Sequence, residues 1–422
     1  MIGQLTVDLF GRPIGRLAIN EPSPSPEDWT FTYLSAYLDS RAPVPLSVSM
    51  ALRGEPHAGA VARNWFCNLL PEGAVREAVT TRLRIPANDD FALLAAIGGE
   101  CAGAVSIYDL ENPTENIEGS GETDVATLLE GAQIGEGAWA LLGTPLRLSL
   151  AGAQDKIPVI AQPDGRLRLP TPGESSTHIL KPDSRRFPGL RDLEALGSAL
   201  ARAIGLAAAH SRPVKVAEHS ALLIERYDRQ LIAGDATRRL HQEDFCQALG
   251  YHGELKYESQ GGPGLAACSK LVRQLGLGPA AVQGLLDWAI FNALIGNADA
   301  HAKNLALLRD LDGRLKLAPF NDLVPTLALP ERLVDRTPAL RIGTAQRIDQ
   351  ISAENWRMFA RAAGYAPRFV LNRVAELAGR IGEKLLPTGT SLIEQGSNAD
   401  RIRSAIEVIG KNVERVGEGA SR

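Results

Sequence analysis

The chain has 422 residues, of which 45% are hydrophobic and 22% are charged, and its formal net charge is −4. This length is too great for one compact core, so we expect two or three packed units. The composition is ordinary for a globular protein, and the small negative charge excludes bulk non-specific binding to nucleic acid. The cysteines are widely spaced without a C-x-x-C pair, which argues against a zinc site or a disulfide framework.

The beginning of the chain predicts neither export nor membrane insertion. Residues 1–8 alternate like a strand and lack the charged and then apolar layout of a signal peptide. No uninterrupted apolar run approaches the length needed to cross a bilayer. We therefore expect a cytoplasmic protein.

The first region, residues 1–110, is predicted to be a β-rich module that also contains helices. Its helical pattern over 60–83 is interrupted by Pro71, and a second helix is expected over 89–97. Residues 111–145 are predicted to form a linker, because their first part is acidic and contains glycine, proline and serine.

The second half of the chain changes from strands to helices. Residues 146–228 are predicted to form a small sheet with one main helix over 190–206. Residues 229–422 are mostly helical, with an almost wholly apolar helix over 279–296 that we expect to be buried. A β-rich lobe before a helical lobe predicts an α+β, two-lobed protein-kinase-like fold, preceded by the N-terminal module.

The most informative pattern is an aspartate, Asp299, followed by Asn304 and then, after two short strands, by Asp322. Kinases arrange phosphoryl-transfer chemistry in this order: the first carboxylate accepts the proton of the substrate hydroxyl, and the other two residues hold magnesium. Amide and carboxylate oxygens are the ligands that magnesium prefers. The alternative is that Asp299 and Asn304 cap an ordinary turn.

Two further charged groups fit a kinase. Lys181 ends an apolar strand, where it could neutralise ATP phosphates, and Glu194 on the following helix is the candidate that orients it, with Asp192 as the weaker choice. A solvated surface lysine is the alternative. His301 could contact the transferred phosphate, or it could bond the loop backbone.

The candidate phosphate loop is unusual, because the sequence contains neither G-x-G-x-x-G nor G-x-x-x-x-G-K-[ST]. Its small residues would let backbone N–H groups approach phosphate oxygens, and the terminal lysine could add charge. An ordinary turn is the alternative. The loop consists of Ala151, Gly152, Ala153, Gln154, Asp155 and Lys156.

The strand ending near residue 225 could meet the nucleotide base and sugar. Main-chain groups of Glu225 and Tyr227 could pair with adenine, and Asp228 could hold the ribose. A salt-bridged strand end between domains is the alternative. Residues 241–244 are interpreted as the start of a helix, with acidic groups favouring its dipole.

Together these motifs resemble the HipA family of bacterial serine/threonine kinase toxins over nearly the whole chain. The resemblance rests on motifs in one order: Leu46–Met50, Trp65–Gly73, Cys101–Ser106, Ser149–Lys156, Thr177–Lys181, Glu225–Arg229, Gln242–Asp244, Asp299–Asn304 and Pro319–Asp322.

The resemblance implies a two-lobed kinase fold of the PI3/4-kinase type, with ATP and Mg²⁺ as cofactors. It also implies the roles given above for Lys181, Glu225, Tyr227, Asp228, Asp299, Asn304 and Asp322. It further implies that Ser149 is a self-phosphorylation site whose phosphate switches the kinase off. The resemblance implies that the protein substrate is an aminoacyl-tRNA synthetase. Glutamyl-tRNA synthetase is the best-known target in the family. A small helix-turn-helix antitoxin of the HipB type would hold the kinase in check and connect it indirectly to operator DNA.

Two other functions fit the same residues. A kinase scaffold does not fix its acceptor, so the chain could phosphorylate a small molecule. It could also act mainly as a co-repressor subunit of a DNA-bound antitoxin complex, although the intact set Asp299, Asn304 and Asp322 argues against that as its sole role.

Overall fold

The computed structural model describes residues 3–21, 25–109, 124–134, 154–171, 173–183, 187–232, 237–310 and 312–421. The chain folds into two compact units, and each is made of separate stretches of sequence. Unit 1 contains Met1–Lys181, Arg226–Glu254 and Leu307–Leu315, and unit 2 contains Pro182–Glu225, Leu255–Ala306 and Lys316–Arg422.

Helices and strands both occur throughout, as the sequence predicts for an α+β protein. The helices are α1 (Ser35–Leu38), α2 (Ala60–Cys67), α3 (Gly73–Leu83), α4 (Asp90–Ile97), α5 (Val125–Ile134), α6 (Leu190–Ala203), α7 (Phe245–Leu249), α8 (Leu265–Gln274), α9 (Pro279–Ile295), α10 (Ala353–Ala363), α11 (Pro367–Glu394) and α12 (Ala399–Ser421). The strands are β1 (Gly3–Leu9), β2 (Arg12–Ile19), β3 (Trp29–Tyr33), β4 (His57–Ala58), β5 (Val105–Tyr108), β6 (Ile157–Ala161), β7 (Leu167–Arg168), β8 (His178–Pro182), β9 (Ser211–Val216), β10 (His219–Glu225), β11 (Arg229–Leu231), β12 (Thr237–Arg239), β13 (His241–Asp244), β14 (Ala306–Arg309) and β15 (Leu315–Leu317).

Unit 1 begins with a five-stranded antiparallel sheet in the order β4-β3-β2-β1-β5. Along β3 the side chains alternate between buried and half-buried, which is the period of a strand with one face on a core. Trp29 and Phe31 lie on the buried face, and Trp65 and Phe66 of α2 belong to the same core. In the later part of this unit, β6 pairs antiparallel with both β7 and β8.

Unit 2 contains α9, which is mostly apolar and is buried from Leu285 to Ile295. Pro279 begins the helix at a position where its missing N–H costs nothing, and Gly296 ends it with a left-handed φ of 73°. Asn412 of α12 donates 2.8 Å hydrogen bonds to the carbonyls of Ala293 and Leu294, so the last turn of α9 is capped from outside.

Helix α6 approaches the chain segment after β15 very closely. A Cβ placed on Gly197 of α6 would collide with the backbone carbonyl oxygen of Leu323. Only glycine permits this approach without a backbone shift. The segment that carries Asp322 is therefore seated directly on α6.

Several sequence interpretations needed correction. Residues 241–244 are not the start of a helix: they form β13, and the helix α7 begins only after Asp244, whose carboxylate accepts from the N–H of Gln247 as an N-cap. The sequence reading did not identify β9 or α8. Within the predicted linker, Val125–Ile134 is a helix with Leu128 and Leu129 buried.

The expected elements α4, α6, β8 and α9 lie within a few residues of their predicted positions. Among the described residues, none of the helices combines the length and the apolar character that crossing a bilayer requires.

Candidate active site

The loop that follows α9 holds the proposed catalytic aspartate in an exposed position. Asp299 is exposed, whereas Ala298 and Ala300 on either side of it are buried. The side chain of Asn297 accepts a hydrogen bond from the N–H of Asp299 at 3.1 Å. Catalytic groups are commonly presented in this way, as an exposed side chain on a loop that a rigid, buried scaffold holds in place.

Asn297 also joins this loop to the segment of Asp322. Its side-chain Nδ2 donates to the Asp322 carbonyl at 3.4 Å and to Oδ1 of Asn292 on α9 at 2.8 Å. Asn297 is buried, so these bonds compete little with water. The structure therefore brings the backbones of residues 297–299 and of Asp322 together, within unit 2.

Asn304 is oriented by the same loop. It ends a short 3-10 turn and is buried, and its Nδ2 donates to the Asp299 carbonyl at 3.3 Å. The atom that Asn304 can offer to a cation is its carbonyl oxygen Oδ1, because the lone pair of an amide nitrogen is delocalised and cannot bind one. That donor fits magnesium, which prefers hard oxygen ligands.

Asp322 adopts a backbone conformation that is rare for an aspartate. Its φ is 57°, in the left-handed region, where strain in non-glycine residues often accompanies functional sites. The preceding Phe320 exchanges backbone hydrogen bonds with Ala207 and Ala209 at 2.7 and 2.8 Å, which fixes the segment's path. The Asp322 backbone therefore lies beside the loop of Asp299 and Asn304, and the role of its carboxylate as a magnesium ligand stays a prediction.

Two aromatic side chains of unit 2 lie against the catalytic loop. The phenol of Tyr257 donates a hydrogen bond to Oδ1 of Asp299 at 2.8 Å. The Tyr257 ring meets the ring of His301 edge to face, with the centroids 5.5 Å apart. His301 is buried. The sequence reading missed Tyr257, because no motif links it to an aspartate that lies 42 positions later.

The candidate phosphate-binding groups are described only in part. Lys181 is buried in β8 of unit 1, and Glu194 is buried in α6 of unit 2. The positions Gln154, Asp155 and Lys156 are half-buried just before β6. Ser149, Ala151, Gly152 and Ala153 lie outside the described residues. The pairing of Lys181 with Glu194 stays a prediction.

Backbone hydrogen bonds show which main-chain group of Glu225 could contact adenine. Glu225 is exposed at the end of β10, and its N–H donates to the His210 carbonyl at 2.8 Å. The main-chain group that Glu225 can offer to adenine is therefore its carbonyl. Tyr227 is half-buried, two residues further on.

Asp228 lies in a buried ion-pair cluster of unit 1. Its two oxygens accept from Arg226 at 2.9 and 2.8 Å, and the Gly103 N–H donates to Oδ2 at 2.7 Å. Glu100 pairs with Arg226 and Arg229 in the same cluster. Burial alone would raise the pKa of the Asp228 carboxyl, but Arg226 and Arg229 hold it well below its usual value.

This cluster matches the salt-bridged alternative that the sequence left open for residues 225–229. Both oxygens of the Asp228 carboxylate already accept hydrogen bonds from the protein. A contact between Asp228 and ribose stays a prediction.

Comparisons with known proteins show which family the chain is similar to. Residues 5–108 match the family model described as the HipA N-terminal domain, and residues 148–385 match the model described as the HipA-like C-terminal domain. A putative kinase, Y4mE, of Sinorhizobium fredii is 41% identical over 392 residues, which cover 91% of this chain and 88% of that protein.

A second relative is the serine/threonine-protein kinase toxin HipA of Shewanella oneidensis, 31% identical over 310 residues, which cover 66% of each protein. The fold also resembles the solved complex of Shewanella oneidensis HipA with HipB and its operator DNA. The TM-score is 0.82 at 24% identity, over 99% of this chain and 98% of that one. This likeness confirms the predicted kinase-like α+β fold.

Proposed function

The chain belongs to the HipA family of serine/threonine kinase toxins, and on that premise we propose that it transfers the γ-phosphoryl group of ATP to a serine or threonine hydroxyl of a protein. The observation that carries the proposal is the exposed carboxylate of Asp299 on a loop that also orients Asn304 and contacts the backbone of Asp322.

In this proposal the residues of the loop and Asp322 divide the chemistry of phosphate transfer between them. Asp299 receives the proton of the substrate hydroxyl as that oxygen attacks. The side-chain oxygens of Asn304 and Asp322 hold Mg²⁺, and His301 stabilises the loop and the group being transferred. When bound, Mg²⁺ and ATP supply the phosphoryl group and neutralise its developing charge.

The remaining predicted residues hold the nucleotide. Lys181, oriented by Glu194, and Lys156 neutralise phosphate charge, with the backbone of residues 151–155 beside them. The carbonyl of Glu225 and the N–H of Tyr227 face adenine, and Asp228 is assigned to the ribose. These assignments are supported by the order of the motifs along the chain.

The family suggests the acceptor, the regulation and the partner. We assign the acceptor to an aminoacyl-tRNA synthetase in the cytoplasm, with glutamyl-tRNA synthetase as the first candidate, so that phosphorylation stalls translation. Phosphorylation of Ser149 would add a charge of about −2 beside the phosphate loop and inactivate the kinase. A HipB-like helix-turn-helix antitoxin would bind the chain and link it to operator DNA, as in the solved Shewanella complex.

Substitution of the proposed base tests this function. Asp299→Asn keeps the shape of the side chain but removes its basicity, so we expect phosphate transfer to fall by roughly 10²- to 10⁴-fold. Transfer from radiolabelled ATP to glutamyl-tRNA synthetase and to the chain itself is the measurement, and phosphopeptide mass spectrometry locates the label. ATP binding should persist.

Asp400→Asn is the matched control, because Asp400 is an exposed carboxylate in the first turn of α12. It should leave phosphate transfer unchanged. An Asp299→Asn variant as active as the wild type would remove the proposal's chemical basis.

A further inference from the structure

Tyr257 contacts the proposed base, Asp299, although no sequence motif predicts this contact. Its hydroxyl donates to Oδ1 of Asp299 at 2.8 Å. Asp299 is exposed at its loop, and the terminal torsion of an aspartate is broad, so a hydrogen bond to one oxygen constrains how the carboxylate is oriented. The phenol O–H is the donor in this contact, because an ionised carboxylate oxygen can only accept.

The backbones on both sides of this contact are fastened to one residue. The carbonyl of Ala339 accepts from the N–H of Glu258 at 2.9 Å, and the N–H of Ala339 donates to the carbonyl of Ala298 at 2.8 Å. Ala339 thus ties the neighbour of Tyr257 to the neighbour of Asp299. The separation of the two side chains is set by main-chain bonds within unit 2.

The Tyr257 side chain is also held by its own surroundings. Gln260 and Gly262 both donate backbone hydrogen bonds of 3.0 Å to the Tyr257 carbonyl, which closes a tight turn. The ring packs against His301 on one side, and the ammonium of Lys256 lies 5.4 Å from the ring centroid. These contacts aim the hydroxyl at Asp299.

We propose that Tyr257 is a positioning residue for the base Asp299, an inference that rests on the kinase function proposed above. The phenol occupies Oδ1 and sets the plane of the carboxylate, so that Oδ2 faces the incoming serine or threonine hydroxyl. The substrate proton passes to Oδ2, while the phenol keeps its own proton throughout.

Removal of the hydroxyl alone tests this role. Tyr257→Phe keeps the ring contacts with His301 and Lys256, so the expected loss lies in kcat, by roughly 10- to 100-fold, the range for a misplaced catalytic group. The KM values for ATP and for glutamyl-tRNA synthetase should stay within about twofold, because substrate binding does not use the phenol.

A double substitution tests whether the effect of Tyr257 on phosphate transfer depends on the Asp299 carboxylate. In an Asp299→Asn background, Tyr257→Phe should cause no further loss of single-turnover phosphate transfer, because its effect passes through the carboxylate. Tyr365→Phe is the matched control: it removes a phenol that donates to the Val282 carbonyl at 2.9 Å, away from the loop. This control should leave kcat unchanged.

A second readout does not depend on activity. In spectra of protein carrying ¹³C-labelled aspartate carboxyls, the signal that Asp299→Asn removes should shift in Tyr257→Phe and stay in place in Tyr365→Phe. An unshifted signal, an unchanged or raised kcat, or an additive loss in the double variant would overturn the inference. A shifted signal with no phosphate transfer by the wild type would instead retain the contact and refute the kinase function.

Discussion

His241 is a buried titratable residue of unit 1 whose environment excludes the charged form. Its Nε2–H donates to the Leu46 carbonyl at 2.7 Å, since a carbonyl oxygen can only accept. Burial lowers the pKa of His241 from 6.5 to about 4, and Arg309 and Arg239 add repulsion against a proton. The folded protein therefore keeps this ring neutral well into the acidic range.

We predict that His241 makes stability depend on acidity below neutral pH. Between pH 6.5 and about 4 the unfolded chain binds a proton at this ring and the folded chain does not. The free energy of unfolding therefore decreases as the pH falls through this window, by on the order of 3 kcal/mol. Urea unfolding at several pH values from 7.5 down to 4 measures it.

The control for this prediction is His241→Gln, which retains an amide donor for Leu46 but does not titrate. The difference in unfolding free energy between the wild type and this variant should change with pH over the same window. Parallel pH dependences of the two proteins would show that His241 is not the responsible group.

At the scale of elements, α6 determines where the Asp322 segment lies, because Gly197 leaves room for the Leu323 carbonyl. We predict that Gly197→Ala destabilises the protein by roughly 1–3 kcal/mol, since the backbone of one element must move. The shift occurs beside Asp322, so phosphate transfer should fall as well. Urea unfolding and the radiolabel assay measure the two effects.

Gly382→Ala in α11 is the matched control, because an added Cβ there meets nothing within 4 Å. Alanine has the higher helix propensity, so this variant should be more stable by about 0.5–1 kcal/mol. If both glycine variants were stabilised alike, the close approach at Gly197 would have no structural importance.

The elements that the sequence predicted best are those whose pattern is local. Helix α9 has a proline at its start, Gly296 at its end and an apolar run between them, and each signal is readable without tertiary information. The loop from Asn297 to Asn304 follows from the position of that helix end. Local signals were therefore sufficient to place Asp299 and Asn304 on a loop directly after a buried helix.

Predictions that depended on tertiary contacts were weaker. Residues 241–244 carry acidic groups typical of a helix start, yet Glu243 accepts from Ser47, Val48 and Trp65, which holds the segment as a strand. Tyr257 and Asp299 meet only because Ala339 bonds to the neighbours of both. Contacts between residues so far apart in sequence have no local signature.

At the scale of the whole molecule, unit 1 is completed by residues far from its beginning. The stretch 226–254 supplies Arg226 and Arg229 to Glu100, and Glu243 to Trp65. An unpaired buried charge destabilises a fold strongly. The first 181 residues alone would leave Glu100 without these partners.

We therefore predict that a fragment of residues 1–181 does not reach the native fold of unit 1. Its amide NMR spectrum should lack the dispersion of the corresponding signals in the full chain, and its thermal unfolding should lose cooperativity. Adding a separate peptide of residues 226–254 is the informative companion experiment. A well-dispersed spectrum for the fragment alone would contradict the prediction.

The division of both units into separate stretches also has a consequence for synthesis on the ribosome. The chain passes between the units after residues 181, 225, 254, 306 and 315, so unit 1 stays incomplete until Leu315 has been made. Unit 2 waits longer still, because Asn412 must cap the helix that precedes the catalytic loop. Domains usually mature in order as they emerge, but here neither unit can be completed early in synthesis. A nascent chain would thus lack the complete fold of either unit throughout most of its own translation.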